Sequence, residues 1–348
     1  MTPLRIIVMG TGPFAVPMFT ALRATPHTIA AVVTRPDHAP PGRRPPRNPM
    51  REAAAAAGVG ILDPERVNEP TVVASLAALR PDLFVVCDYG QILSRDLLAV
   101  PPLGGINLHG SLLPRHRGAA PVQWAIREGD ACSGVSVIHM TPALDAGNVI
   151  VARAVPVGRR ETAAELEPRL AELGTDAVIE AIERLQAAVT SGGPLAGVGI
   201  PQVAGQATRA PRLTKADGIV DWSQSAAALE RLRRALEPWP RLTTFYGRGD
   251  GQRQRLVLED LEPHPPAAVA DPLAAPGTVL GTDHEQITVA CGGGTALAIL
   301  RLVPEGRRSM SAAEFLRGSP LLPGAVLGCS RRRWFARSHR RCRFSYLH

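Results

Sequence analysis

The sequence predicts a two-part α/β protein: a doubly wound, mostly parallel Rossmann-like sheet followed by a small OB-like β-barrel. Three observations carry this. Short β-branched apolar runs alternate with helical patterns through the first half of the chain, the order that builds a parallel sheet with helices on both faces. Residues 191–212 (SGGPLAGVGIPQVAGQATRAPR) are rich in Gly, Pro and Ala without periodicity, as a linker across the surface would be. Five short strand-like runs with glycine turns follow, which suits a small barrel. The expected division is a catalytic domain at 1–190, a linker at 191–212, a barrel at 213–328 and an arginine-rich tail at 329–348.

Each element has its own warrant. Arg5–Met9 is an apolar run stopped by Gly10-Thr11-Gly12-Pro13, and a helical pattern then reaches about Arg23. Thr28–Thr34 (TIAAVVT) is a second strand, ended by Arg35-Pro36-Asp37 and a loop of prolines and arginines. Arg51–Ala57 is alanine-rich and helical, Gly60–Leu62 a short strand, Thr71–Leu79 a helix and Leu83–Cys87 an apolar strand. Gly105–His109, Gly134–Met140 and Asn148–Val157 read as strands, and Ala163–Ala188 as a long helix. In the second part Ser225–Leu236 is helical. Strands are expected at Leu242–Tyr246, Arg255–Leu261, Gly277–Leu280, Gln286–Ala290 and Ala296–Leu302.

Composition narrows the class. A chain of 348 residues with 45% apolar and 20% charged residues can bury two cores. No apolar run approaches the ~20 residues of a membrane span, and MTPLRIIVMG lacks the layout of a signal peptide. A cytoplasmic monomer without membrane contact is expected. Five cysteines, an odd number without CxxC spacing, fit neither a disulfide framework nor a zinc site, so no metal is expected. The net charge of +8 is concentrated in the last twenty residues, which hold seven arginines and no acid. That tail is expected to be disordered and dispensable for catalysis. Lys215 is the one lysine against 38 arginines, which points to a need for a compact ammonium there.

Gly10–Ala15 matches G-x-G-x-x-A, but no acid ends the second strand and Pro13 removes a phosphate donor. A tight strand-to-helix turn without NAD is the better reading. The sharper signal is "GGINLHGSLLPRHRG" (104–118). Asn107 and His109 share one face at a strand's carboxyl end, with Leu108 on the other. Gly110 permits close backbone approach, and Pro114 keeps Leu113 out of the helical region, so the turn offers backbone groups to a flat heterocycle. In TPALDAGNVI, Asp145 precedes Ala-Gly at a strand entrance, within reach of the same crevice.

The pattern N-x-H-x-S-L-L-P-x-x-R-G at 107–118, with L-D-x-G at 144–147, resembles the folate-dependent formyltransferases. APRLTKADGIVDWSQSA (210–226), RLRRALEPWP (231–240) and RRSMSAAEFLRG (307–318) resemble the C-terminal domain of the branch acting on methionyl-tRNA. The resemblance runs from about residue 4 to 328. It departs at His116, where an aromatic residue is usual, at Asp88, where a small one is usual, and in the 38–51 loop, where arginines replace a lysine-containing sequence.

The resemblance implies 10-formyltetrahydrofolate as formyl donor and initiator methionyl-tRNA as acceptor, without metal or NAD. Asn107 and His109 would stabilise the developing oxyanion, and Asp145 would orient the histidine and help relay a proton. Ser111, Leu112, Leu113 and Pro114 would line the folate pocket. Arg43, Arg44, Lys215, Arg233 and Arg234 would contact tRNA, the last two from a helix near Trp239. A formyltransferase for a small amine (glycinamide ribonucleotide or an amino sugar) and a non-catalytic tRNA-binding protein are the alternatives. The absence of a Gly-Ser-Asn-type phosphate turn after the first strand and about 120 further residues weigh against glycinamide ribonucleotide, and the intact Asn107/His109/Asp145 set against the non-catalytic protein.

Overall fold

Ile6–Met9, Val32, Val33 and Leu83–Val86 are all buried, and strands buried on both faces belong at the centre of a parallel sheet. The structure, a computed structural model, describes residues 2–37, 47–247, 252–265, 269, 271, 273–283 and 285–328. Arg43, Arg44 and the tail from Cys329 onward lie outside the described residues. The chain divides between Arg212 and Leu213 into two compact units.

The first unit has strands β1 (Arg5–Met9), β2 (Thr28–Val33), β3 (Ile61–Leu62), β4 (Leu83–Val86), β5 (Gly105–His109), β6 (Arg117–Gly118), β7 (Cys132–His139), β8 (Val149–Pro156) and β9 (Arg209–Ala210). Seven of them form one sheet in the order β3-β2-β1-β4-β5-β7-β8. The pairs from β3 to β5 are parallel, whereas β7 runs antiparallel to both β5 and β8. The expected mostly parallel α/β sheet is the one observed.

Helices α1 (Val16–Arg23), α2 (Pro49–Ala56), α3 (Pro70–Ala78), α4 (Arg95–Leu98), α5 (Pro121–Glu128) and α6 (Ala163–Thr190) complete the unit. Proline stands at the first or second position of α1, α2, α3 and α5, where no backbone donor is lost. Helix α6 starts on a capping box between Thr162 and Glu165. Its stripe Leu166, Leu170, Gly174, Ala177, Ala181 and Leu185 is buried, the period of one helical face. A Cβ on Gly174 would lie 2.6 Å from Leu108 Cδ2. Leu108, opposite Asn107 and His109 on β5, thus beds that strand against α6.

The stretch 191–212 does not behave as a passing linker. Arg209–Ala210 pairs in parallel with Arg117–Gly118, and Ile200 bridges to Val149. Backbone donors and acceptors on both partners are satisfied this way, which fastens the segment to the first unit.

The second unit is an antiparallel OB-like barrel. Its strands are β10 (Thr243–Gly247), β11 (Arg253–His264), β12 (Val279–Thr282), β13 (Ile287–Ala290), β14 (Ala296–Pro304) and β15 (Met310–Ser311), with helices α7 (Ala226–Ala235) and α8 (Ala312–Gly318). The order is β10-β11-β14-β13-β12, with β15 on β14. Bridges from Leu327 to Tyr246 and from Val326 to Thr278 connect the two ends of the curled sheet, so its edges are covered. No helix among the described residues is long and apolar enough to cross a membrane.

Gly174→Val should overpack the α6–β5 contact and lower stability by about 1–3 kcal/mol, read by urea unfolding. A variant as stable as the parent would show that Leu108 has room to move.

Candidate active site

A cavity of about 550 Å³ opens where β1, β4 and β5 end. Phe14 follows β1, Asp88–Leu93 follow β4, Asn107–Gly110 end β5, and Ile138–Asp145 run on from β7. Asn107, His109 and Asp145 all line it. The structure therefore brings the three expected residues together. Among the described residues, no hydrogen bond occupies the Asn107 side-chain amide.

His109 is buried at 5% exposure. Its Nε2 lies 2.9 Å from the backbone oxygen of His116. A carbonyl oxygen only accepts, so Nε2 carries the hydrogen and Nδ1 is the nitrogen left to gain or lose a proton. Nδ1 lies 3.8 Å from Asp145 Oδ2, a Coulombic neighbour beyond hydrogen-bond length. That carboxylate oxygen accepts the Gly118 N–H at 2.8 Å. The Asp145 carbonyl accepts from Gln202 Nε2 at 2.8 Å, and Gln202 Oε1 accepts from the Arg117 guanidinium at 2.6 and 3.1 Å.

Segment 116–118 thus holds both groups, and its backbone is unusual. His116 has φ +60° and Asp145 φ +49°, left-handed conformations that cost about 1–3 kcal/mol and persist only where surroundings enforce them. At His116 the enforcement is local: its Nε2 lies 2.7 Å from Asp130 Oδ2 and its backbone N–H donates to Thr208 Oγ1 at 2.8 Å. Gly118 has φ +129°, and a Cβ there would come within 2.5 Å of the Ala210 oxygen. Only glycine permits that approach.

The turn Ser111–Pro114 does not line the cavity. It folds back on β7 instead. Ser136 Oγ donates to the Ser111 oxygen at 2.8 Å and accepts from the Leu113 N–H at 3.1 Å, while Ser111 Oγ donates to the Arg115 oxygen at 2.7 Å. Its polar groups are spent on the fold. Gly90–Leu93 and Thr141–Leu144 line the wall instead, segments that sequence reasoning passed over. Gly90 (φ +80°), two residues after left-handed Asp88, ends an apolar strand with YGQ, a signal visible in the sequence.

Asp88, Glu167 and Arg212 form a charged wall of the same cavity. Asp88 is open to the cavity and flanked by protein. Desolvation, then the Glu167 charge, raise its carboxyl to about 6, against the pull of Arg212 and a Gly12 amide donor. Burial also raises Glu167. His139 donates from Nε2 to the Val198 oxygen at 2.9 Å, and burial lowers its proton affinity, which keeps it neutral at pH 7.

In the second unit the expected basic helix is committed internally. Arg234 is buried and its Nε donates to both oxygens of Glu230 at 2.8 and 3.0 Å. Arg233 pairs with Glu237 at 3.0 Å and Glu230 at 3.7 Å. Their charge is met by carboxylates one turn away, so α7 does not present them to a polyanion as expected. Lys215 is exposed at the start of a short 3₁₀ turn.

The raised Asp88 carboxyl has a linkage consequence. A folded-state value above the unfolded 3.8 means that ionisation destabilises the fold, absent below about 4 and complete above about 6. Asp88→Asn should unfold at a higher temperature than the parent at pH 8, the difference shrinking as pH falls towards 4. A pH-independent difference would rule out Asp88 ionisation as its cause.

Residues 4–182 match the formyl transferase family, and residues 212–320 match its C-terminal domain. The chain is 44% identical over 334 residues to a methionyl-tRNA formyltransferase of Rhodopirellula baltica, covering 93% of this chain and 96% of that one. It is 42% identical over 318 residues to one of Anaeromyxobacter dehalogenans, with coverages of 90% and 97%. Among solved structures, HypX from Aquifex aeolicus in complex with tetrahydrofolic acid aligns with TM-score 0.54 at 17% identity, over 90% of this chain and 47% of that chain. The N-formyltransferase of Helicobacter canadensis aligns with TM-score 0.57 at 13% identity, over 85% and 99%. At such identities these two speak for the fold alone. With Asn107, His109 and Asp145 inside the first matched segment and the barrel strands inside the second, the chain belongs to the formyl transferase family.

Proposed function

We propose that this chain transfers the formyl group of 10-formyltetrahydrofolate to the α-amine of initiator methionyl-tRNA. The observation that carries the reading is the convergence of Asn107, His109 and Asp145 on one cavity, in a chain 44% identical to a methionyl-tRNA formyltransferase over nearly the full length of both. A volume of about 550 Å³ suits a ligand of folate size. The apolar walls of Val86, Leu93 and Met140 fit a flat heterocycle.

The folate supplies the carbonyl under attack and the nitrogen that leaves. Asn107 donates its free amide N–H to the carbonyl oxygen as negative charge grows there; one such preorganised donor contributes on the order of 10²–10³ in rate. His109 acts from Nδ1, because Nε2 is held by the His116 carbonyl. A proton held there can be donated towards the reacting atoms, and Asp145 at 3.8 Å offsets the ring's positive charge. The incoming amine has a pKa of about 8 and must lose a proton before its lone pair attacks the carbonyl; the carboxylates of Asp88 and Glu167 in the cavity wall can take that proton.

The tRNA is contacted by the second unit through Lys215 and by Arg43 and Arg44 of the first part of the chain. Such contacts strengthen binding in a salt-dependent way. The chain would act as a monomer, in the cytoplasm where translation begins.

The test offers labelled 10-formyltetrahydrofolate with methionyl-tRNA and with glycinamide ribonucleotide side by side. Label should appear on methionyl-tRNA alone; label only on the ribonucleotide would overturn the acceptor assignment. His109→Ala and Asn107→Ala should each lower kcat about 100-fold or more and leave folate binding nearly intact. A variant keeping more than about a tenth of kcat would remove that residue from the charge-stabilising role.

A further inference from the structure

We infer that His116, clamped by Asp130 and Thr208, is a positioning residue that sets the orientation of the His109 imidazole. The inference rests on the formyl-transfer reading for its kinetic arm only. The only hydrogen bond found for the His109 ring among the described residues runs from Nε2 to the His116 backbone oxygen. The direction of that carbonyl follows from the left-handed φ of His116. Nothing intrinsic to a histidine backbone selects that conformation, so the side-chain clamp must.

The clamp closes from three sides. His116 is 3% exposed, and Nε2, 2.7 Å from Asp130 Oδ2, must carry its hydrogen. Asp130 is itself held by Arg115, whose Nη2 lies 2.5 Å from Oδ1 and Nε 3.4 Å from Oδ2. Thr208 accepts the His116 backbone N–H at 2.8 Å, and its hydroxyl lies 3.5 Å from His116 Nδ1. A phenylalanine ring could fill much of the same volume but could not donate to Asp130. The next residues continue the tether: Arg117 N–H donates to the Thr208 oxygen at 2.9 Å, and Gly118 N–H reaches Asp145 at 2.8 Å. Loosening the clamp therefore frees the ring that faces the reacting atoms and disturbs the carboxylate beside it.

The test is a cycle of four full-length proteins: parent, Asp130→Asn, His109→Ala and the double variant. Asp130→Asn should lower kcat about tenfold or more, change KM for the formyl donor less than threefold, and lower kcat no further once His109 is gone. ¹⁵N NMR of labelled histidines reads the ring directly, without turnover. The parent should show His109 protonated at Nε2, and Asp130→Asn and His116→Phe should both shift that signature. Thr208→Val, which loosens the same backbone from the other side, should shift it too, covering the case in which a His116 variant fails to fold. An equal kcat loss with and without His109, or unchanged His109 nitrogen signals in these variants, would overturn the inference. Failure of the parent to transfer formyl would strike the function reading and leave the nitrogen shifts as the judge of positioning.

Discussion

The site depends on one hydrogen bond, from His109 Nε2 to the backbone oxygen of His116. An imidazole at a cavity edge has two neutral tautomers and can flip about χ2. Binding one nitrogen to a carbonyl removes both freedoms and leaves Nδ1 as the working atom. To place a carbonyl there, the chain must reverse within seven residues of His109. The reversal is assembled from distant parts: Ser136 on β7 pins the turn, Asp130 and Thr208 pin His116, and Gly118 closes the circuit on Asp145. Residues 109–118 form a loop fixed to a reactive group at each end.

The sheet makes that circuit possible. In the order β3-β2-β1-β4-β5, the chain runs outward in one direction from β1 and then in the other from β4, which opens a crevice at the carboxyl ends between them. Phe14 and Asp88 stand at that opening. Beyond it, β5 pairs in parallel with β4 but antiparallel with β7. The antiparallel partner starts from the opposite end, so Ser136 lies opposite His109. Helix α6, packed on Leu108 through Gly174, sets the depth of β5 from behind. Two strands of opposite direction and one helix therefore fix where Asn107 and His109 stand.

Local pattern made much of this legible in the sequence. Strands with continuous apolar runs and the N-x-H alternation on β5 were read directly, because their cause lies within a few residues. What could not be read was pairing at long range. Ser111–Pro114 offers open backbone groups in sequence, and only the approach of Ser136, twenty-five positions on, shows them to be satisfied. The glycine- and proline-rich stretch 191–212 lacks a period, yet Gln202 and Thr208 within it support Asp145 and His116. Such segments hold their place through backbone pairing and single polar contacts, which leave no repeating signal. Arg233 and Arg234 are a different case. Glu230 and Glu237 stand one helical turn away, a spacing visible in the sequence that favours ion pairs over a free basic face.

That spacing bears on how a polyanion could be recognised by a chain so rich in arginine. Arginine's planar fork matches a carboxylate as well as it matches a phosphate. An arginine already paired, as in Arg51 with Asp63, Arg115 with Asp130 or Arg234 with Glu230, exchanges one anion for another when a phosphate approaches and so gains little. The cations that matter to a phosphate backbone are those without a carboxylate of their own. Lys215 is such a group among the described residues, and its Asp217 neighbour is turned to the Thr214 hydroxyl and amide instead. A capping box thus keeps the nearby acid occupied and the ammonium exposed. The count of basic residues says little about where nucleic acid binds; the pairing of each one decides it.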